Sequence, residues 1–168
     1  KMDNIGELKN LMDRLEETET QKQNAEAKLK DIINRSLENI KDIYFTLKNY
    51  VWKDKISLRS YSGKLYELGE GIIIRDRGIE EKIILKPDRK IILYTLADGK
   101  VSETQLDAQN IEDYITMDNI FADVMSTITS SIQKNEKEVL LYNSMITKIE
   151  QYMQDLKNVI SSQDTTNK

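Results

Sequence analysis

The chain contains no cysteine and no histidine. Without cysteine there is no disulfide, no thiolate metal ligand and no cysteine nucleophile. Without histidine the commonest general base and metal ligand is missing too. There is one proline, Pro87, and there are six glycines. Apart from Gly6, these breakers all fall between residues 63 and 99. Both flanks are thus free of the residues that end helices, and the middle is rich in them. No run of about 18 apolar residues is present, so no segment reads as a transmembrane helix. Neither sign of charge dominates. Lysine and arginine number 25 against 29 acids, a net charge of −4. The signs are interspersed, and no basic footprint for nucleic acid stands out.

What is present suits amphipathic helices. Of 168 residues, 39% are hydrophobic and 32% charged, a balance that gives one dry face and much wet surface. The organising stretch runs from Phe121 to Ile160. It reads Phe121, Met125, Ile128, Ile132, Asn135, Val139, Tyr142, Ile146, Ile149, Met153, Leu156, Ile160. The steps alternate between four and three, and only Asn135 is polar. A helix with this heptad stripe must bury it against another helix. Asn135 is read as a lone Asn at an a position, which costs stability and selects a partner or register.

One elongated domain is expected, with helix one over 4–53, a β insert over 56–101, helix two over 103–160 and a frayed tail over 161–168. Asn4 and Glu7 give a weak capping box. From Ile5 the phase runs Ile5, Leu8, Met12, Leu15, fails at Glu19, Lys22 and Glu26, and resumes from Leu29. Leu11, Ala25 and Ile32 form a parallel row that widens the stripe. The polar stretch 16–28 keeps high helix propensity, which favours one helix with an exposed middle over two shorter ones. Beyond Lys53 the period changes to two or to short apolar runs, with turns at Asp76-Arg77-Gly78, Pro87-Asp88-Arg89 and Asp98-Gly99. Short links between strands predict an antiparallel meander. Ser102 followed by Gln105 reads as a capping box opening helix two.

Sites for chemistry are sparse. No phosphate-binding loop or calcium-loop spacing is present. The pairs Glu80-Glu81 and Glu112-Asp113 are neighbours whose side chains diverge. No cofactor or metal is expected, and the chain is not expected to be an enzyme. Residues 104–168 carry 5 basic and 10 acidic groups, with no Lys or Arg in that segment before Lys134. Asp113, Asp118 and Asp123 in this run, and Arg75, Arg77 and Arg89 near the turns, are candidate contacts for a charged partner, although a solvated face is the simpler reading.

The fold class that follows is α+β, mainly α: two long, antiparallel, coiled-coil-like helices flanking a small antiparallel β meander. In outline this resembles prefoldin subunits, in which a hairpin-built β core carries two coiled-coil arms. The likeness is one of topology and brings no functional residues with it. With the helix ends level, the polar middle of helix one would face Val139 and Tyr142, so helix two carries more dry surface than helix one can cover. The expected interface is Ile128, Ile132, Asn135, Val139, Tyr142, Ile146, Ile149 and Met153, and the expected state a homo-oligomer, with a dimer favoured. The leading functional expectation is a non-enzymatic interaction or scaffold protein that binds another, unknown protein. A prefoldin-like holdase comes second, and an extracytoplasmic sensor or surface domain third; Lys1, standing where a Met would, hints at a trimmed start. The compartment stays open, a soluble cytoplasmic setting being the first expectation.

Overall fold

The computed structural model describes residues 2–166. It is mainly helical and holds one five-stranded antiparallel sheet. Two compact units divide the chain, residues 1–124 and residues 125–168.

In the first unit, α1 (Met2–Thr46) runs unbroken through the polar stretch 16–28. It begins before Asn4, so Asn4 lies inside its first turn and is not a cap. A break at Leu47 leads to the single turn α2 (Lys48–Val51), and the chain is already extended at Trp52, where helix one was expected to continue. The strands are β1 (Trp52–Arg59), β2 (Leu65–Asp76), β3 (Glu81–Leu85), β4 (Ile91–Ala97) and β5 (Lys100–Leu106). They pair in chain order, each antiparallel to the last.

The fifth strand replaces the expected start of helix two. Asp98 and Gly99 have φ of 52° and 72° and join Ala97 to Lys100 as a two-residue hairpin turn. Positive φ at both positions matches the twist of the flanking strands. The next residues are thereby committed to the β4 ladder, Ser102 lies opposite Thr95, and its hydroxyl donates to the Thr95 carbonyl. After β5, Asp107 and Asn110 fold a polar loop: Oδ1 of Asn110 accepts from the Asp107 amide and Oδ1 of Asp107 from the Gln109 amide, both at 2.8 Å. A 3₁₀ turn (Ile111–Asp113) follows. Helix α3 (Met117–Thr166) then starts behind Thr116, whose hydroxyl accepts from the Asn119 amide at 3.2 Å. Thr116 is therefore the N-cap that Ser102 was expected to be.

Alternation gives the sheet two faces. Ile72, Leu85, Ile91 and Leu106 lie opposite one another across β2 to β5 on one face, beside the pair Ile83 and Leu93. All are buried. Helical residues at heptad spacing, Ile33, Leu37, Ile40 and Tyr44, are buried with them, as are Ile111, Ile115, Ile120 and Val124. The opposite face gathers Ile56, Leu58, Leu68, Ile84, Tyr94 and Leu96 into a second core. That face is concave. Ile79 O accepts from the Arg59 amide and Glu80 O from the Leu96 amide, so the β2–β3 link ties β1 to β4 and the sheet curls.

Glycine makes the curl possible in β2. Tyr66 and Leu68 pack on the concave core, and so does Ile73, an odd number of residues further on. The parity is reset at Gly69 and Gly71, with φ of 82° and 155°. A Cβ on Gly71 would sit 2.6 Å from the Leu85 carbonyl oxygen, so only glycine lets the two strands meet there.

In the second unit the chain is helical from Met125 to Thr166. Residues 161–166, expected as a frayed tail, continue the helix. Lys1, Asn167 and Lys168 lie outside the described residues. No described helix is long and apolar enough to cross a membrane.

Candidate interaction surfaces

The three arginines singled out in the sequence fasten helices and turns of the first unit to its sheet. Arg75 on β2 faces Asp123 on α3 at 3.8 Å. Arg77 reaches Glu81 at 3.4 Å and donates to the Tyr114 carbonyl at 3.3 Å. Arg89, in the β3–β4 turn, reaches Glu38 at 3.2 Å and Asp42 at 2.8 Å, and stacks over the Phe45 ring at 5.5 Å. Arg89 holds a positive φ of 68°, a conformation that disfavours side chains other than Gly, Asn and Asp. Its three contacts on α1 are what the fold gains from an arginine in that place. The same ties shift ionisation: Glu38 is held below the usual carboxylate range by Lys41 first and Arg89 second, against a desolvation penalty, and Arg89 is pushed up by Asp42 and Glu38.

Of the six charged candidates, Arg75 and Arg77 meet the segment 114–123 that holds or adjoins the three acids, whereas Arg89 binds α1 instead. Asp123 is paired with Arg75, whereas Asp113 lies exposed in the 3₁₀ turn and Asp118 exposed in the first turn of α3. Sequence reasoning could not see these pairings, because Arg89 and Glu38 are 51 residues apart.

The concave side of the sheet carries an open groove of about 590 Å³, lined by Lys86, Asp88, Lys90, Ile92, Tyr94, Glu103 and neighbours. The Lys86 ammonium donates to the Leu68 carbonyl and lies 5.7 Å from the Tyr94 ring centroid. Burial first, then the Glu103 and Asp88 carboxylates, push the Tyr94 phenol upward. A phenol so placed stays protonated at neutral pH, which suits a hydrogen-bond donor and not a nucleophile. Among the described residues, no three acidic side chains stand close enough to hold a metal ion.

The second unit presents the heptad seam. Ile132, Val139, Ile146, Met153 and Ile160 form its a row; Ile128, Asn135, Tyr142, Ile149 and Leu156 form its d row, so the step of three from Ile132 and of four to Val139 puts Asn135 at d and not at the expected a position. From Ile132 to Ile160 the apolar members are 51–63% exposed. Ile128 is half-buried and Asn135 is exposed. In the first unit Ile5, Leu8, Leu11, Met12 and Leu15 of α1 are also more than half exposed. Monomeric soluble proteins rarely leave contiguous apolar surface of this extent.

The chain matches no protein-family model, no curated protein and no solved structure.

Proposed function

We propose that this is a non-enzymatic interaction and assembly protein. Its two long helices pair antiparallel as arms carried by the sheet, copies associate through α3 as a dimer, and the sheet unit is offered to another protein. The observation that carries this reading is the exposed seam from Ile132 to Ile160. Burying each such aliphatic side chain gains on the order of 1.5–3 kcal/mol. The heptads of α1 fail over the polar stretch 16–28, whereas the α3 stripe runs on without a break, and that surplus of apolar surface on α3 supports a second copy as its partner.

The absence of cysteine gives a clean test. An Asn135→Cys variant carries one thiol per chain. In a parallel, in-register α3 pair it oxidises to a covalent dimer. Sedimentation should give twice the chain mass at about 100 μM, well above the dissociation constants of stable interfaces. A monomer at that concentration, with no cross-link at position 135, refutes the reading.

A second reading has one observation in its favour. Ile5, Leu8, Leu11, Met12 and Leu15 lie exposed in the N-terminal part of α1, as a holdase for unfolded chains requires. Suppression of the aggregation of a denatured client, lost when Leu8 and Leu15 are changed to Glu, distinguishes it.

A further inference from the structure

The two borders of the α3 stripe differ in chemistry. With Ile132 as an a position, the g border turns apolar at Met145, Tyr152 and Val159, and all three are at least half exposed. The e border is polar and exposed, with Glu136, Asn143, Glu150 and Lys157. No residue of opposite charge stands three or four positions from Glu136, Glu150 or Lys157, so their own helix offers them no ion pair. On the outer face the polar side chains do pair within the helix: Gln151 donates to Asp155 and Gln154 to Asn158. In a two-stranded coil the e and g borders set the orientation. A parallel pair lays g along the other copy's e, so Met145 would meet Glu150 and Tyr152 would meet Lys157. An antiparallel pair lays g along g and e along e, apolar on apolar and polar on polar.

We propose that α3 pairs antiparallel with α3 of a second copy, about a two-fold axis midway between Ile146 and Ile149. The inference rests on the assembly reading above and gives its interface a direction and a register. The core layers are Ile146 on Ile149, Tyr142 on Met153 and Val139 on Leu156, each formed twice. Asn135 then meets Ile160 at the end of the overlap, where water reaches its amide. On the g border Met145 meets Tyr152; only Glu138, which meets Val159, departs from the apolar match. On the e border Glu150 accepts a hydrogen bond from the Asn143 amide, and Glu136 pairs with Lys157. The charges that their own helix leaves unpaired thus find partners on the second copy. Sliding the pair by one heptad destroys the match. In one direction Glu136 meets Glu150, and in the other the two copies of Glu150 meet each other, both like-charge contacts. A second copy is the occupant whose charges fit, and they fit in this register.

Single cysteines in the full, otherwise cysteine-free chain test the direction. Val139→Cys and Leu156→Cys variants are oxidised separately and as a mixture. In the proposed pair these two positions face each other. Two copies of position 139 are separated by the rise from residue 139 to residue 156, about 25 Å, far beyond the reach of a disulfide. The expected result is a covalent dimer from the mixture and none from either variant alone. Charge reversal gives a second readout that leaves the core untouched. Lys157→Glu should raise the dimer dissociation constant about tenfold at low salt, since it replaces two attractions with two repulsions. Adding Glu136→Lys to it should restore the wild-type value. Covalent dimers of Val139→Cys alone, or of Asn135→Cys, mean a parallel pair; they overturn this inference and leave the assembly reading standing. A dimer that gives no cross-link in the mixture, or whose affinity ignores the charge reversal, does the same. A wild-type monomer at about 100 μM overturns both.

Discussion

Leu37→Ala and Leu8→Ala remove the same atoms from the same helix, and the structure predicts opposite outcomes. Leu37 is 2% exposed and sits between Ile33, Ile40 and Tyr44 on the buried face of α1. Leu8 is 57% exposed. Truncating a buried leucine loses its transfer free energy and leaves a cavity, together about 2.7–5 kcal/mol. A domain of this size has about 5–15 kcal/mol of stability in all, so Leu37→Ala should lower the urea midpoint visibly. The chain supplies its own probe, a single tryptophan. Trp52 sits where α2 meets β1, with its ring 6.4 Å from Phe45 and its indole N–H 3.3 Å from a Glu70 carboxylate oxygen. Its emission should follow loss of the helix–sheet contact. In dilute solution, Leu8→Ala should stay within about 0.5 kcal/mol of wild type. A cost below about 1 kcal/mol for Leu37→Ala, or equal costs for the two variants, would show that α1 is not anchored through this stripe.

Three further outcomes follow from named contacts. Gly71→Ala should cost about 2–4 kcal/mol, since it combines a backbone at φ 155° with a Cβ 2.6 Å from the Leu85 oxygen, and thermal unfolding reads it directly. Arg89→Gly and Arg89→Ala both lose the pairs with Glu38 and Asp42, but only glycine relaxes the positive φ, so the glycine variant should melt above the alanine variant. Tyr94 has a raised pKa, so the stability it lends is complete below the ordinary tyrosine value of about 10 and is lost as pH climbs through the raised folded value; Tyr94→Phe should flatten this alkaline loss in urea titrations at rising pH.

Much of the fold was written in local pattern. The confinement of glycine and proline to 63–99 announced two helical flanks around a β unit, and the short turns announced a meander. The error at β5 came from weighing Ser102 and Gln105 as a cap when Asp98-Gly99, between two candidate strands, was the stronger signal. Val101 and Thr104, both β-branched, agreed with that turn. The real cap, Thr116, has Asn119 where a capping box would have Glu or Gln, so it drew no notice. The α3 seam was legible as a pattern because heptads are local. The work of Arg75, Arg77 and Arg89 was not, because each joins residues that only the folded sheet brings together. The reset of parity at Gly69 and Gly71 was equally hidden, since two glycines in a strand read as an interruption and not as a bend.

The order of the strands has a consequence for how the chain is made. Every strand pairs with the one synthesised just before it. The longest link between paired strands is five residues, so each closure costs little chain entropy. A ribosome delivers about 5–20 residues per second, whereas a hairpin forms in about 1–10 μs. Each new strand can therefore dock on its predecessor long before the next one emerges. No strand has to wait, unpaired and prone to aggregate, for a partner encoded far downstream. The buried helical residues Ile120 and Val124 come last, and their arrival marks the moment when the sheet unit is complete and the seam of α3 begins to leave the tunnel.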